Sequence, residues 1–376
     1  MMQWALDLHE SDATIDQMAG HHPSVESNES YLKGKRQWFH DYVTNQQKRD
    51  DYWNSSTYKT LRNAHKNAKV PVLMRGAWHD FFLDGQFDVF EELPTRSQSV
   101  FSIRNGHHAH SNSLVEFRDN QRFNFTMMLD WFDVHLKGKS VRSLPESGYV
   151  IQSNVNNGRT HFSSWPANTS RSLFYLGNLN SAGSCDGGTL LVEKPTSAVS
   201  VSYIYDPENP VESRGGAFNL VKGGVIEQGN VICARDDVIS FESSVFEEAF
   251  TLSGSIKVAI KVSSDANDSA FTVKVQEKLA DGSVYNIREG ITSLSFRNGL
   301  DYKQKYEADS IVELEFDLTR ISWEFRPGSS LRLDISSSSY PMFNAHPNVE
   351  ENGALVASPI KARQTIFSGK LSLPVR

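Results

Sequence analysis

The sequence has little of three things, and each scarcity excludes a class of protein. It contains two cysteines in 376 residues, Cys185 and Cys233, which are too few for a disulfide framework or for a cysteine-rich zinc site. Two buried thiols are expected, and the sequence leaves open whether they pair. Basic residues are outnumbered, with 38 Lys and Arg against 45 Asp and Glu. Nucleic acid is therefore not an expected partner, because its phosphates need a basic face.

Long apolar runs are missing as well. No stretch approaches the ~18 apolar residues of a membrane-spanning helix, so a membrane is not an expected partner. The opening residues, MMQWALDLHESDATIDQM, have neither the basic start nor the apolar stretch of a signal peptide, which leaves the cytoplasm as the default expectation. Trp4, Leu6 and Leu8 stand among acids with no cap residue before them. Because this reads like the middle of a helix, we expect a truncated or split gene product, or a natural start farther upstream.

What is present has the composition of an ordinary globular protein, with 39% hydrophobic and 22% charged residues. The first of three zones, residues 1–65, is polar, with aromatic residues near helical spacing and no strand signal. We predict helices there. Such helices cannot bury themselves alone and must pack against another part of the chain.

Residues 66–165 change to an alternation of strands and helices. Short apolar runs at 70–74, 100–103 and 149–153 are typical of buried parallel strands. Two helix candidates, FDVFEEL and FNFTMMLDWFDVHLKGKS, lie between these runs, and Gly138 closes the second. This order predicts an α/β unit, a parallel sheet with helices on its faces.

Residues 170–376 consist of short alternating runs separated by turn residues. In FTVKVQEKLADGSVYNI, for example, ADGS is predicted to be the turn between two strands. The pattern predicts an antiparallel β-sandwich. The expected fold class is therefore α/β followed by all-β.

Ionisable residues follow two of the predicted parallel strands. Asp80 comes after the first strand, and His107, His108 and His110 come after the second. Open α/β sheets bind ligands at the carboxyl ends of their strands, so the two loops are expected side by side. An Asp followed by a His is the second half of the Ser–Asp–His order of α/β-hydrolases. The alternative is a zinc site built on H-H-x-H, but no acid or cysteine cluster accompanies it, so no metal is expected.

Specific motifs extend this pattern. PVLMRGAWHDFF resembles a P-V-L-x-x-x-G-W-x-D stretch, HHAHSN a catalytic-histidine loop and WFDVHLKG a helix end of the cocaine esterase, X-Pro dipeptidyl-peptidase and α-amino-acid ester hydrolase group of α/β-hydrolases. DDYWN is similar to part of its helical cap, and YDPENPVESRGG and FRPGSSLRLDISSSSYPMF to its C-terminal domain. The resemblance implies a helical cap segment over 1–65, the C-terminal part of a hydrolase domain over 66–165 and a galactose-binding-like jelly-roll sandwich over 170–376.

The resemblance also assigns roles. Asp80 falls on the triad Asp, and His110 falls on the catalytic His because the Ser-Asn after it matches the family's H-S-N form. His107 and His108 stand where the family usually has other residues, and both are expected to point elsewhere. Trp53 and Trp78 are candidates for lining a substrate pocket, the alternative being that they pack the cap onto the sheet. No metal or organic cofactor is implied.

One member of the triad is not in the sequence. The family's nucleophilic serine lies in a G-x-S-x-G turn, and the 376 residues contain no such motif. Two functions stay open. The chain is the C-terminal portion of a serine hydrolase acting on an Xaa-Pro peptide, an α-amino-acid ester or an aryl ester, with the nucleophile on an upstream-encoded half, and is inactive alone. The alternative is an inactive remnant whose sandwich is an interaction module. A homo-oligomer is compatible with either function, because a sheet of only three predicted parallel strands leaves an exposed edge that could pair with a second copy.

Overall fold

The structure is a computed structural model. It describes residues 36–108, 120–141, 144–156, 158–166, 169–185, 187–196, 199–217, 223–350 and 358–376. The described residues form a short helical segment, a small sheet with helices and a large all-β domain. The predicted fold class, α/β followed by all-β, is confirmed.

The helical segment contains α1 (Gln37–Thr44) and α2 (Ser56–Asn63), the second extended by a 3₁₀ turn. It packs against the all-β domain. The Lys48 N–H donates to the Leu300 carbonyl at 2.9 Å, and the Lys303 N–H donates to Gln47 Oε1 at 2.9 Å. The segment is thus held by residues some 250 positions later in the chain.

The small sheet has four strands in the order in which they occur in the chain. Its strands are β1 (Leu73–His79), β2 (Val100–His107), β3 (Gly148–Gln152) and β4 (Arg159–Phe162). The first three pair in parallel, as the sequence predicts, and β4 adds an antiparallel edge that the sequence did not reveal. Helix α3 (Leu83–Glu91) connects β1 to β2, and α4 (Asn120–Lys137) precedes β3.

Helix α4 has two different sides. Trp131 packs on Val100 and Val150 of the sheet, and Gly138, in the left-handed conformation that favours glycine, ends the helix where the sequence predicts. The other side carries an apolar stripe of exposed residues at intervals of three or four positions. These residues are Phe125, Leu129, Phe132 and Leu136.

No helix of the described residues is long and apolar enough to span a membrane.

The all-β domain is a single twelve-stranded sheet. Its strands are β5 (Ser170–Gly177), β6 (Gly188–Leu191), β7 (Val201–Tyr205), β8 (Ile239–Ser243), β9 (Phe250–Gly254), β10 (Lys257–Ser264), β11 (Ala270–Lys278), β12 (Val284–Ser293), β13 (Val312–Asp317), β14 (Ile321–Phe325), β15 (Ser330–Ser336) and β16 (Ala362–Val375). The main path runs β12-β11-β15-β8-β6-β5-β16-β10-β13. Its end strands, β12 and β13, approach each other, so the sheet nearly closes around its core. As predicted, ADGS is the turn that joins β11 to β12.

One apolar core runs through both sheets. Phe87 and Phe101 of the α/β part belong to the same buried cluster as Trp165 between the sheets, and as Phe174 and Trp323 of the all-β domain. The all-β domain and the α/β part are therefore packed against each other. The boundaries at 65 and at 165–170 stay predictions, because nothing in the fold tests them.

The two cysteines form a disulfide. Cys185 and Cys233 are bonded across a sequence separation of 48 residues, so the expectation of two free thiols is wrong. Cys185 follows a 3₁₀ turn next to β6 and Cys233 lies in the loop before β8. Because β6 and β8 are paired neighbours in the sheet, the fold brings together two residues that the sequence could not pair.

Candidate active site

Asp80 sits where strand β1 gives way to helix α3. Its Oδ1 accepts a hydrogen bond from the Phe82 N–H at 2.9 Å, and its carbonyl accepts one from the Leu83 N–H at 3.1 Å. An Asp side chain that binds the backbone two residues later makes a local turn of its own. The carboxylate is therefore held in one orientation, with 10% of the side chain exposed.

His108 follows the last residue of β2 and meets Asp80. The two strands are parallel neighbours, so their carboxyl ends open at one edge of the sheet. His108 Nδ1 lies 3.1 Å from Asp80 Oδ2. The imidazole is 40% exposed and contacts the rings of Phe81 and Phe82, whose centroids lie 4.9 and 5.4 Å away.

The contact fixes what the imidazole can do. An ionised carboxylate can only accept hydrogen bonds, so Nδ1 of His108 carries the proton and donates a hydrogen bond to Asp80 Oδ2. In the neutral ring this leaves Nε2 as an acceptor, able to take a proton from a hydroxyl group. The Asp and the His of a Ser–His–Asp triad have this same arrangement.

The structure changes one expectation about the histidines. His108 was expected to point away from Asp80 and instead contacts it. The cause is the register of the two parallel strands, in which His79 of β1 lies opposite His107 of β2, so that the next residues along the chain, Asp80 and His108, lie side by side. His107 is 2% exposed, as a residue within the sheet. His110 lies outside the described residues, so its assignment as the base stays a prediction.

Arg104 supports the loop that carries His108, and the sequence analysis missed it. Its Nη2 donates to the His107 carbonyl at 2.9 Å, and its Nη1 donates to the Asn105 carbonyl at 3.0 Å. Burial lowers the pKa of Arg104, the charge of Arg75 lowers it further, and Asp80 opposes both. The available signal was an arginine directly after the apolar residues of the strand, in SVFSIRNG.

The two tryptophans each pack against other aromatic rings. Trp78 is 2% exposed, and its ring packs on Trp165 with centroids 5.6 Å apart. Trp53 packs among tyrosines of the helical segment, with Tyr42 and Tyr52 at 5.2 and 4.8 Å, and its Nε1 donates to the Asn45 carbonyl. Both rings thus have packing partners, and a role in substrate binding stays a prediction. No group of three or more His, Cys, Asp or Glu side chains among the described residues is arranged to hold a metal ion.

Known families match both parts of the chain. Residues 141–370 match the model of the X-Pro dipeptidyl-peptidase C-terminal non-catalytic domain, and residues 3–111 match that of X-Pro dipeptidyl-peptidase (S15 family). The sequence is also similar to cocaine esterase from Rhodococcus sp. (strain MB1 Bresler). The two are 27% identical over 362 residues, which cover 92% of this chain and 61% of that protein.

Solved structures have the same fold. An α-amino acid ester hydrolase superimposes with a TM-score of 0.75 at 18% identity, covering 94% of this chain and 63% of that one. An aminopeptidase from a marine sediment Thaumarchaeota archaeon gives 0.73 at 17% identity, covering 90% and 60%. The chain therefore spans about three-fifths of the length of these relatives.

Proposed function

Since this chain belongs to the X-Pro dipeptidyl-peptidase and cocaine esterase family of α/β-hydrolases, we propose that it carries the acid and the base of a serine hydrolase that cleaves ester or amide bonds. The observation that carries the proposal is the contact between Asp80 Oδ2 and His108 Nδ1 at the carboxyl ends of two parallel strands. This order and tautomer are those a serine nucleophile requires of its partners.

In the proposed reaction the serine comes from outside these 376 residues. Its hydroxyl attacks the acyl carbonyl while the imidazole Nε2 takes the proton, and Asp80 holds the imidazolium that forms. The imidazolium then protonates the leaving alcohol or amine, and a water molecule repeats the sequence to release the acid. His108 is the base that the contact supports, and His110 is the base that the family motif supports. Proposed substrates are an Xaa-Pro peptide, an α-amino-acid ester or an aryl ester.

The test supplies the missing nucleophile. The DNA upstream of Met1 is searched for a reading frame that encodes G-x-S-x-G, and its product is co-expressed with this chain. We expect saturable hydrolysis of a p-nitrophenyl ester that falls on the order of 10⁴-fold in Asp80→Asn. His108→Ala and His110→Ala are co-expressed with the upstream product in the same way, and the variant that loses the hydrolysis identifies the base. Saturable hydrolysis that persists unchanged in Asp80→Asn would refute the proposal.

The chain alone is the necessary control. We expect it to hydrolyse the ester no faster than its own His108→Ala and His110→Ala variants, because it has no G-x-S-x-G serine. Saturable turnover that disappears in one of these variants would show that the nucleophile lies within the chain.

A second candidate function rests on the description of residues 141–370 as a non-catalytic domain. On that view the all-β domain is an interaction module and the Asp80–His108 pair is a remnant. Absence of an upstream G-x-S-x-G reading frame, together with inactivity of the chain, would favour this candidate.

A further inference from the structure

Asp80 lies between two attachments to the all-β domain. On the preceding residue, His79 Nε2 lies 3.2 Å from the Ile287 carbonyl of β12. Four residues after Asp80, in the first turn of α3, Asp84 Oδ2 accepts a hydrogen bond from Thr319 Oγ1 at 2.8 Å. The turn that orients the acid is therefore fixed at both ends by residues of the other domain.

Arg288 joins these two attachment points. It follows Ile287 in β12, and its guanidinium donates from Nε to the Thr319 carbonyl at 3.0 Å and from Nη2 to the Arg320 carbonyl at 2.8 Å. The residue is 6% exposed. Burial lowers the pKa of Arg288 to about 10, and the charge of Asp84 opposes the effect. A planar guanidinium that grips two successive carbonyls holds its neighbours in a fixed geometry.

His79 is a neutral hydrogen-bond donor in this arrangement. Burial, at 2% exposure, and the charge of Arg288 hold its pKa well below the usual value, against the opposing effect of the bond to Ile287. A carbonyl oxygen only accepts, so the proton of the neutral ring must sit on Nε2. The hydrogen bond from His79 to the Ile287 carbonyl is therefore made by the neutral imidazole, which is the form that burial favours.

We propose that Arg288 is a positioning residue for Asp80: by fixing the 319–320 turn beside Ile287, it lets the all-β domain set the place of the acid relative to His108. The inference rests on the proposed function and gives a role in the site to a domain described as non-catalytic. A displacement of about 1 Å in a catalytic group can lower the rate about 100-fold, and the two attachments lie one and four residues from Asp80.

The test reads the tautomer of His108 in the full chain. Long-range ¹H–¹⁵N correlation on protein labelled in histidine separates Nδ1–H from Nε2–H rings, and the signals lost in His108→Gln identify this residue. The spectra are taken at mildly alkaline pH, where ordinary histidines are neutral. In the unaltered chain we expect the Nδ1–H form. In Arg288→Met we expect it to become the minor form, as in an unconstrained imidazole.

Matched variants separate positioning from general destabilisation. Arg332→Met removes an equally buried guanidinium of the same domain, which bonds Asp334 and Ser240 instead, and should leave the His108 spectrum unchanged even if it lowers the melting temperature. If Arg288→Met does not fold, Thr319→Val removes only the hydroxyl that reaches Asp84, and Thr319→Ser restores it. Thr319→Val should move the spectrum in the same direction, and Thr319→Ser should return it.

The outcomes distinguish this inference from the proposed function. If Asp80→Ala shifts the His108 tautomer while folded Arg288→Met and Thr319→Val do not, the positioning role is refuted and the Asp–His pair stands. If Asp80→Ala itself leaves the tautomer unchanged, the Asp80–His108 pair is refuted and this inference with it, whereas the proposed function is refuted only by hydrolysis that persists in Asp80→Asn.

Discussion

Truncation of Phe87, which lies at the junction of the α/β part and the all-β domain, should lower the free energy of unfolding strongly. Phe87 is fully buried on α3. Its ring stacks on Trp165 at 5.2 Å, meets Phe101 edge-on at 5.2 Å and lies under the Arg320 guanidinium at 4.9 Å. Replacing a buried Phe by Ala costs about 3–5 kcal/mol, and a ring with aromatic partners belongs in the upper part of this range because the pair contacts are lost as well. We therefore expect Phe87→Ala to lose about 4–5 kcal/mol.

Such a loss raises the equilibrium constant for unfolding about 10³-fold. Urea unfolding measures it, followed by the fluorescence of the seven tryptophans, among them Trp165, and by far-ultraviolet circular dichroism, which reports on the secondary structure. Because one core serves both parts, both transitions should move. The control is Phe82→Ala, the same exchange at a position 55% exposed, which should stay within about 0.5 kcal/mol. A loss below about 1 kcal/mol in Phe87→Ala would contradict the assignment of this ring to the core.

Three further predictions concern the disulfide, a buried acid and the surface of α4. Reducing the Cys185–Cys233 bond releases a constraint across 48 residues, which corresponds to about 4 kcal/mol of stability; an unchanged urea midpoint with reductant would refute the pairing. Burial raises the pKa of Asp268, but the hydrogen bond and charge of His346 and the donors of Ser295 outweigh it, so the pKa is lowered. The stabilisation by the ionised carboxylate is therefore present above the pKa of Asp268 in the unfolded chain and is lost as pH falls through its pKa in the folded protein. In urea titrations, the difference in free energy of unfolding between the unaltered protein and Asp268→Asn should shrink below about pH 4. A difference that does not change with pH would contradict this. Replacing Leu129 and Phe132 by Ser removes apolar groups already in water, so light scattering of concentrated protein should fall with stability changed by about 0.5 kcal/mol or less per site; a loss of several kcal/mol would mean that these side chains are packed.

Sequence patterns predicted the elements whose signals are local. The apolar runs fixed β2 and β3, Gly138 marked the end of α4, and the ADGS turn marked a hairpin. The position of Asp80 after a parallel strand also followed from the pattern. The pairing with a histidine was predicted in kind, because the carboxyl ends of neighbouring parallel strands must meet.

Other features depended on contacts between distant residues. Strand β1 continues to His79, past Gly76, which the sequence suggests as part of a turn and which instead packs against α3 and β2. A Cβ there would lie 2.6 Å from Gln86 Oε1 and 3.1 Å from the Phe101 ring, so a larger residue would require the Gln86 side chain to move and the Phe101 ring to shift slightly. The contact of His108 with Asp80 depends on the register of β1 and β2, in which His79 lies opposite His107, and this register leaves no mark in the composition of either strand.

The core shared by the two sheets limits how this protein can exchange parts with its relatives. A recombinant that took its all-β domain from another member would replace Phe174 and Trp323 while keeping Phe87 and Trp165, which lie in the same apolar cluster. The exchanged all-β domain would then have to fit the shape of the Phe87 and Trp165 side chains, which belong to a different protein. Crossovers within the 163–170 connection are thus expected to be rare among functional descendants, and designed chimaeras should exchange both halves of the cluster together.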